Sequence, residues 1–221
     1  MKKEPLRFNK DGKFKIMLIG DLHEYYDMKS DNAAAKVDDT LNLLTKAVNE
    51  LKPDLVIYLG DNARAATESQ MRSIISRITY PVSVNEIPFD LVFGNHDREC
   101  EVPLETQLKL YQEHENCYAF NADDSISGCG NHNIVIKSHD GEKDMFNLWL
   151  IDSHNLYEDS SRSYYDVVHE DQLEWYKKTA KELAEKNGGK PIPSLVFQHI
   201  SVPEEYKLLR EAKPHERLDS V

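Results

Sequence analysis

The feature that most constrains the fold of this 221-residue chain is a short apolar run that occurs four times and is followed each time by polar residues. Apolar runs of this length, rich in Val, Ile, Leu and Phe, are typical of strands buried in a sheet. Glycine follows three of the four runs, and the next residues offer carboxylate, amide or imidazole groups. The runs are Phe14–Ile19, Asp54–Leu59, Phe89–Phe93 and Ser194–Gln198, and the polar residues after them include Asp21, His23, Asp61, Asn95, His96, Asp97 and His199.

Helical patterns separate these runs. Apolar residues recur with helical spacing from Val37 to Leu51, which predicts a helix between the first two strands. Strand–helix–strand units build parallel sheets, whose strands end at the same edge, where ligands bind. Further helices are predicted over about 68–78, 103–113 and 171–186, and two hairpin strands near 134–136 and 146–151. The order predicts an α/β fold in which four strand ends assemble one site.

Composition limits the remaining possibilities. With 40% hydrophobic and 30% charged residues, residues 1–221 are expected to form a single domain with a full core. No apolar run approaches the roughly 20 residues that span a bilayer, and Met1–Pro5 lacks the apolar core of a signal peptide, so we expect a cytoplasmic protein without a membrane partner. The net charge of −12 argues against a nucleic-acid partner. Cys100 admits two interpretations, a nucleophile or an incidental thiol near a pocket rim.

The polar residues after the strands favour metal chemistry. Carboxylate, imidazole and amide oxygen donors suit Mn, Fe or Zn, whereas an all-oxygen set favours Mg or Ca. Asp61 offers two oxygens and suits a bridge between two ions, with Asn95 and His199 beside the second. Two ions about 3.5–4 Å apart clamp a phosphoryl group and create a hydroxide nucleophile. His96 has the side chain of a proton donor to a leaving alkoxide.

Each piece has an ordinary structural alternative. A Gly-Asp pair after a strand is often only a turn, and a lone histidine such as His199 often only completes a hydrogen bond. Three other histidines are also given non-functional interpretations. His154 is predicted to be structural, and His132 and His169 are predicted to be solvated. The joint occurrence of all four strand-end motifs, in this order, favours the functional interpretation.

These motifs, Gly20–His23, Gly60–Asn62, Gly94–Asp97 and His199, resemble the successive motifs of the calcineurin-like metallophosphoesterases, from about Phe14 to Tyr206. Residues 6–16 and 197–206 are also similar to a bacterial and plant branch described as purple-acid-phosphatase-like. The resemblance implies an α/β/β/α sandwich with a dinuclear metal site at the strand ends. It assigns Asp21 and His23 to the first ion, Asp61 to the bridge, Asn95 and His199 to the second ion, and His96 to proton donation.

The chain departs from the family pattern in two places. Arg64 stands where purple enzymes carry a metal-bound tyrosine, so no iron–tyrosinate centre is expected. The final Gly-His-x-His motif is absent between His199 and Val221, and His215 has no glycine before it. The expected sandwich is therefore C-terminally incomplete, with each ion short of one ligand.

The sequence thus predicts a metal-dependent phosphoesterase that hydrolyses small-molecule phosphate mono- or diesters through a metal-bound hydroxide, with two divalent Mn, Fe or Zn ions. The alternative is a truncated or non-catalytic protein of the same fold, acting as a metal-binding or protein-interaction scaffold.

Overall fold

The computed structural model describes residues 3–26, 33–156 and 165–205, with residues 33–36 described by backbone alone. His215 lies outside the described residues. In chain order the elements are β1 (Ile16–Ile19), β2 (Glu24–Tyr25), α1 (Ala33–Leu51), β3 (Leu55–Tyr58), β4 (Ala63–Arg64), α2 (Glu68–Ser83), β5 (Phe89–Leu91), α3 (Asn95–Arg98), α4 (Leu104–Gln112), β6 (His132–Lys137), β7 (Asp144–Leu150), α5 (Glu170–Lys186) and β8 (Ser194–Phe197).

The first sheet contains the first three apolar runs. Its strands are parallel in the order β1-β3-β5, with Ile16 opposite Leu55 and Val56 opposite Phe89. Parallel pairing places the carboxyl ends of all three strands at one edge, as the strand–helix–strand pattern predicted. The short parallel pair β2-β4 lies beyond that edge and continues the pairing of the loops after β1 and β3.

The central strand β3 separates two apolar cores. Val56 and Tyr58 belong to the core formed with α1, α2 and α4, whereas Leu55 and Ile57 belong to the core shared with the second sheet. Side chains alternate between the two faces of a strand, so a strand that is apolar throughout is buried on both faces. All four residues are fully buried, which explains why this run lacks a polar alternation.

The second sheet has the order β6-β7-β8, with β6 and β7 antiparallel and β7 and β8 parallel. Its inner face contributes Ile136, Leu148 and Leu150 to the core between the sheets. On its outer face the ring of Trp149 packs against Trp175 and Tyr176 of α5. The layers are therefore helix, sheet, sheet and helix, which confirms the predicted α/β/β/α sandwich.

Asp90 and His132 join the two sheets through a buried polar contact. His132 Nε2 lies 2.9 Å from Asp90 Oδ2, and both side chains are completely buried. The expectation that His132 is solvated is therefore wrong. The reason is that its partner lies 42 residues earlier in the chain, and the polar residues around His132 in the sequence do not indicate that partner.

No helix within the described ranges is long and apolar enough to cross a membrane.

Candidate metal centre

The loops after β1 and β3 pair with each other and turn sharply. The Asp21 N–H donates to the Gly60 carbonyl at 3.0 Å, and the His23 N–H donates to the Asp61 carbonyl at 2.9 Å. Asp21, His23 and Asp61 have φ values of 56°, 47° and 54°, in the left-handed region that residues with a Cβ adopt at a cost. Asp21 and His23 are two positions apart, and an extended backbone would not direct both side chains at one point. The turn in this backbone allows both to do so.

Two glycines allow three loops to meet. A Cβ on Gly60 would lie 2.5 Å from the Gly94 nitrogen and 2.9 Å from His199 Nδ1. A Cβ on Gly94 would lie 2.7 Å from the Asp61 nitrogen and still closer to Asp61 Oδ1. Any side chain at either position would push the strand ends apart, so the glycines in the sequence motifs are there for close approach.

Asp61, Asn95 and His199 converge at this junction. His199 Nε2 lies 3.2 Å from Asp61 Oδ2 and 3.2 Å from Asn95 Oδ1. His199 Nδ1 lies 2.7 Å from the Leu59 carbonyl, which fixes the Nδ1–H tautomer and points Nε2 into the site. The side chains of Asp61 and Asn95 are buried. The structure thus brings together the three residues predicted for the second ion.

Asp21 and His23 lie on the solvent side of the same carboxylate. His23 Nε2 is 3.7 Å from Asp21 Oδ1 and 4.0 Å from Asp61 Oδ2. Donor atoms of Asp21, Asp61 and His199 all lie within 4.8 Å of one another. Asp61 is therefore the residue shared by both predicted ligand sets. Metal binding by these five residues stays a prediction. The types of donor atom and their spacing agree with it.

His96 lies at the entrance to the centre. Its backbone N–H donates to Asp61 Oδ1 at 2.8 Å, and its ring packs edge-to-face on His23 with centroids 5.3 Å apart. Its Nδ1 lies 2.7 Å from Glu99 Oε2, and 43% of the side chain is exposed. This arrangement leaves Nε2 available to a molecule entering from solvent. Arg64 lies 4.0 Å from the same Glu99 oxygen.

Asp97 supports the centre from beneath, a role that the sequence did not indicate. Its Oδ2 accepts the N–H groups of Asp61 and Gly94, both at 2.8 Å, and its Oδ1 accepts the N–H of Asn62 at 3.2 Å. Burial raises the pKa of Asp97 to about 6, although these N–H groups favour its ionised form. Its place in the Asn95–Asp97 motif was visible in the sequence, but the loop that it holds was not.

Arg98 and Asp152 connect the first sheet to the second behind the centre. The Arg98 guanidinium donates to Asp152 Oδ2, which also accepts the Cys129 N–H at 2.7 Å. Asp152 has a fully buried side chain. Next to it, Ser153 Oγ accepts the N–H of Ile200 at 2.9 Å and so holds the residue after His199. The Arg98–Asp152 and Ser153–Ile200 contacts join residues more than 40 positions apart and had no signal in the sequence.

The charges at the centre reinforce each other. Burial opposes ionisation of Asp61, but the hydrogen bond and charge of His199, with the N–H of His96, hold the pKa of this carboxyl below its usual value. Burial likewise opposes protonation of His199, but its contacts with Asp61 and the Leu59 carbonyl raise its pKa to about 9. Asp61 and His199 therefore form an ion pair, and the same carboxylate and imidazole would serve as ligands of a divalent cation that replaced the Nε2 proton.

A sequence model of the calcineurin-like phosphoesterases matches residues 14–219 of this chain. The chain belongs to this family. The matched span contains every strand-end motif named above, which confirms the family resemblance noted from those motifs.

The curated relatives of this chain include two proteins named as probable inactive phosphatases and one named as a phosphatase. It is 31% identical to "Probable inactive purple acid phosphatase 14" and 27% identical to "Probable inactive purple acid phosphatase 29", both of Arabidopsis thaliana. These alignments cover 90% of this chain and 56% and 57% of the relatives. It is also 27% identical to "Phosphatase DCR2" of Saccharomyces cerevisiae, over 94% of this chain and 38% of that protein. The chain thus spans about half the length, or less, of these relatives, and the bacterial branch stays a prediction.

Proposed function

We propose that this chain forms a metal-dependent phosphoesterase centre that hydrolyses small-molecule phosphate mono- or diesters. The observation that carries the proposal is the convergence of Asp61, Asn95 and His199 from three strand ends, with Asp21 and His23 on the other side of Asp61. Membership of the phosphoesterase family supports the same reaction class.

The residues fit a pair of transition ions. Asp21, His23 and Asp61 would hold one ion, and Asp61, Asn95 and His199 would hold the other. Imidazole and carboxylate donors favour Mn, Fe or Zn over Mg or Ca. When bound, two such ions neutralise charge on the phosphoryl group and lower the pKa of water so that it serves as a nucleophile at neutral pH.

His96 is the proposed proton donor to the leaving oxygen. The Glu99 carboxylate accepts the Nδ1 hydrogen and orients the ring, so the proton given to the leaving oxygen is the one on Nε2 of the doubly protonated ring. Nε2 then faces solvent next to His23, where a phosphoester would approach. Asp97 takes no part in the chemistry itself, but by holding the Asp61 and Gly94 backbones it positions the bridging carboxylate.

A panel of phosphoesters tests the proposal. The chain, loaded separately with Mn, Fe or Zn, is assayed with p-nitrophenyl phosphate and bis(p-nitrophenyl) phosphate, with metal content measured on the same samples. We expect metal-dependent release of p-nitrophenol that is lost in Asp61→Asn and retained in Asp140→Asn, a substitution on the exposed β6–β7 hairpin. Rates equal to those of Asp61→Asn with every metal would contradict the proposal.

A second candidate is a non-catalytic protein of the same fold that binds metal as a scaffold. The names of two plant relatives, which describe them as probable inactive phosphatases, favour this candidate. The acidic balance of the chain, with a net charge of −12, suits a basic protein partner. Metal-induced thermal stabilisation without turnover of either substrate is the result that this candidate predicts. The cytoplasmic location is proposed on the sequence alone.

A further inference from the structure

A second group of metal-ligating side chains lies apart from the centre described above. His154 follows β7, Asp166 lies shortly before α5, and His169 is the N-cap residue of α5. Donor atoms of the three residues lie within 4.8 Å of one another. The group shares no residue with the proposed phosphoesterase centre, and two of its three members are histidines. The sequence assigned these histidines structural or solvated roles.

The two imidazoles are packed against each other. The rings of His154 and His169 stack with centroids 4.0 Å apart and an interplanar angle of 15°. Asp166 Oδ2 lies 3.0 Å from His169 Nε2. The group therefore places a carboxylate oxygen beside two imidazole rings.

Gln172 determines which nitrogen of His154 is free. The Gln172 amide nitrogen donates to Asn131 Oδ1 and to the Asp152 carbonyl, both at 2.8 Å, so the orientation of the amide is fixed. Its Oε1 therefore faces His154 Nε2 at 2.9 Å and accepts a hydrogen bond from the Nε2–H. Since Nε2 carries the hydrogen, the neutral ring has its lone pair on Nδ1. A histidine ligand held through its other nitrogen in this way is the usual arrangement around protein-bound metals.

The backbone also holds the group together. The Asp166 N–H donates to the Asn155 carbonyl at 2.9 Å, which joins the segment after β7 to the segment before α5. The His169 N–H donates to Gln172 Oε1 at 2.7 Å, and the His154 N–H donates to Asp152 Oδ1 at 2.9 Å. His154 is buried, whereas His169 is exposed over 40% of its side chain, so an ion has a path from solvent.

We propose that His154, Asp166 and His169 bind one divalent transition ion of the Zn class at the junction of β7 and α5. Two imidazoles and one carboxylate are a donor set that Zn accepts, with a fourth position left for water. Binding replaces the Asp166–His169 contact and requires the stacked rings to tilt, because Zn–N and Zn–O bonds are about 2.0–2.2 Å long. The ion would brace the segment whose Ser153 holds Ile200, next to His199.

The test weakens the first centre before the second is measured. In an Asp61→Asn background, Zn²⁺ binding is measured by equilibrium dialysis with elemental analysis. We expect one Zn²⁺ per chain, with affinity weakened by roughly 10-fold or more when His169→Ser or Asp166→Asn is added. Serine at position 169 preserves an N-cap for α5, so this variant is expected to fold. His139→Ser, which removes an exposed histidine of the β6–β7 hairpin, is expected to bind as the background does.

Co²⁺ gives a second measurement. Coordination by His169 predicts visible d–d absorption in the Asp61→Asn background that disappears in His169→Ser. The proposal is overturned if the background binds no Zn²⁺, if binding is unchanged in both His169→Ser and Asp166→Asn, or if His139→Ser weakens it equally. Because Asp61 is absent throughout, a failure here leaves the phosphoesterase proposal untouched.

Discussion

Gly94 packs directly on Asp61, and no side chain fits between them. The Asp61 nitrogen would lie 2.7 Å from a Cβ at position 94, and the Asp61 carboxylate would be nearer still. The backbone of Gly94 has a φ of −101°, which any residue adopts. The glycine is therefore required by space and not by conformation.

Gly94→Ala is expected to displace the Asp61 loop. Overpacking of this kind typically costs about 1–3 kcal/mol of unfolding free energy, and the shift should also abolish metal-induced thermal stabilisation. Gly188→Ala is the control, because Gly188 has a φ of +68° and no atom within 4 Å of its would-be Cβ. It should show backbone strain of about 1 kcal/mol with an unchanged metal response. A normal metal response in Gly94→Ala would contradict the proposed geometry.

Asp61→Asn is expected to weaken both proposed metal positions together, because this carboxylate faces His199 on one side and His23 on the other. The substitution keeps the shape of the side chain and removes its charge. The measurement is a pair of thermal melts, with and without Mn²⁺, on the parent and the variant. Without metal, the variant loses the ion pair with His199, which lowers the melting temperature. It also loses the repulsion from Asp97 and Asp21, which acts in the opposite direction. Equal metal-induced shifts in the two proteins would show that Asp61 is not a ligand.

His96→Asn is expected to lower kcat while metal content stays unchanged, because the side chain of His96 contacts Glu99 and His23 and faces solvent. Acid–base groups contribute roughly 10²–10⁴-fold to rate. The measurement is kcat together with elemental analysis in a preparation active on p-nitrophenyl phosphate, with His139→Asn as the exposed control. Loss of metal along with activity would identify His96 as a ligand instead.

Arg98→Ala is expected to destabilise the fold strongly. It leaves the fully buried Asp152 carboxylate without its cation, and breaking a buried pair in this way costs about 3–5 kcal/mol. Arg72→Ala provides the comparison, since Arg72 pairs with Glu68 and Glu113 at the surface, where water screens such pairs and a much smaller loss is expected. Urea unfolding of both variants gives the two free energies, and similar losses would argue against the supporting role of Arg98.

The Asp90–His132 pair predicts a pH-dependent stability. Burial alone would lower the pKa of His132, but the charge and hydrogen bond of Asp90 raise it above the usual value. The stabilisation is therefore fully present below about pH 6.5, the unfolded value, and is lost as pH rises through the folded pKa. Nearby Cys117, whose pKa burial raises to about 12, stays neutral over this range.

Asp90→Asn keeps the hydrogen-bond acceptor and removes the charge. It should cost about 1–3 kcal/mol at pH 6 and less at pH 9, as measured by urea unfolding at both values. A loss of unfolding free energy that is constant or grows with pH would show that Asp90 does not favour protonation of His132.

Local patterns in the sequence predicted the longer helices and strands but not the short elements β2, β4 and α3, and the metal site that they indicated stays a prediction. The apolar run at Leu55–Tyr58 predicted a doubly buried strand because burial on both faces leaves no polar alternation. The ends of elements were less accurate. The helix expected from about residue 38 begins at Ala33, and the helix expected to end near residue 78 continues through Pro81 to Ser83. Packing against neighbouring elements, which decides such ends, has no local signal.

The sequence by itself determined which residues stand at the strand ends, because a strand, a glycine and a polar side chain follow one another along the chain. The tertiary structure alone decided which distant groups support them. Asp97 holds the Asp61 backbone, Asp90 pairs with His132, and His154 stacks on His169. Each of these contacts depends on how two loops or two sheets meet in space. A hydrogen bond or ring contact between residues far apart in sequence leaves no periodic pattern along the chain.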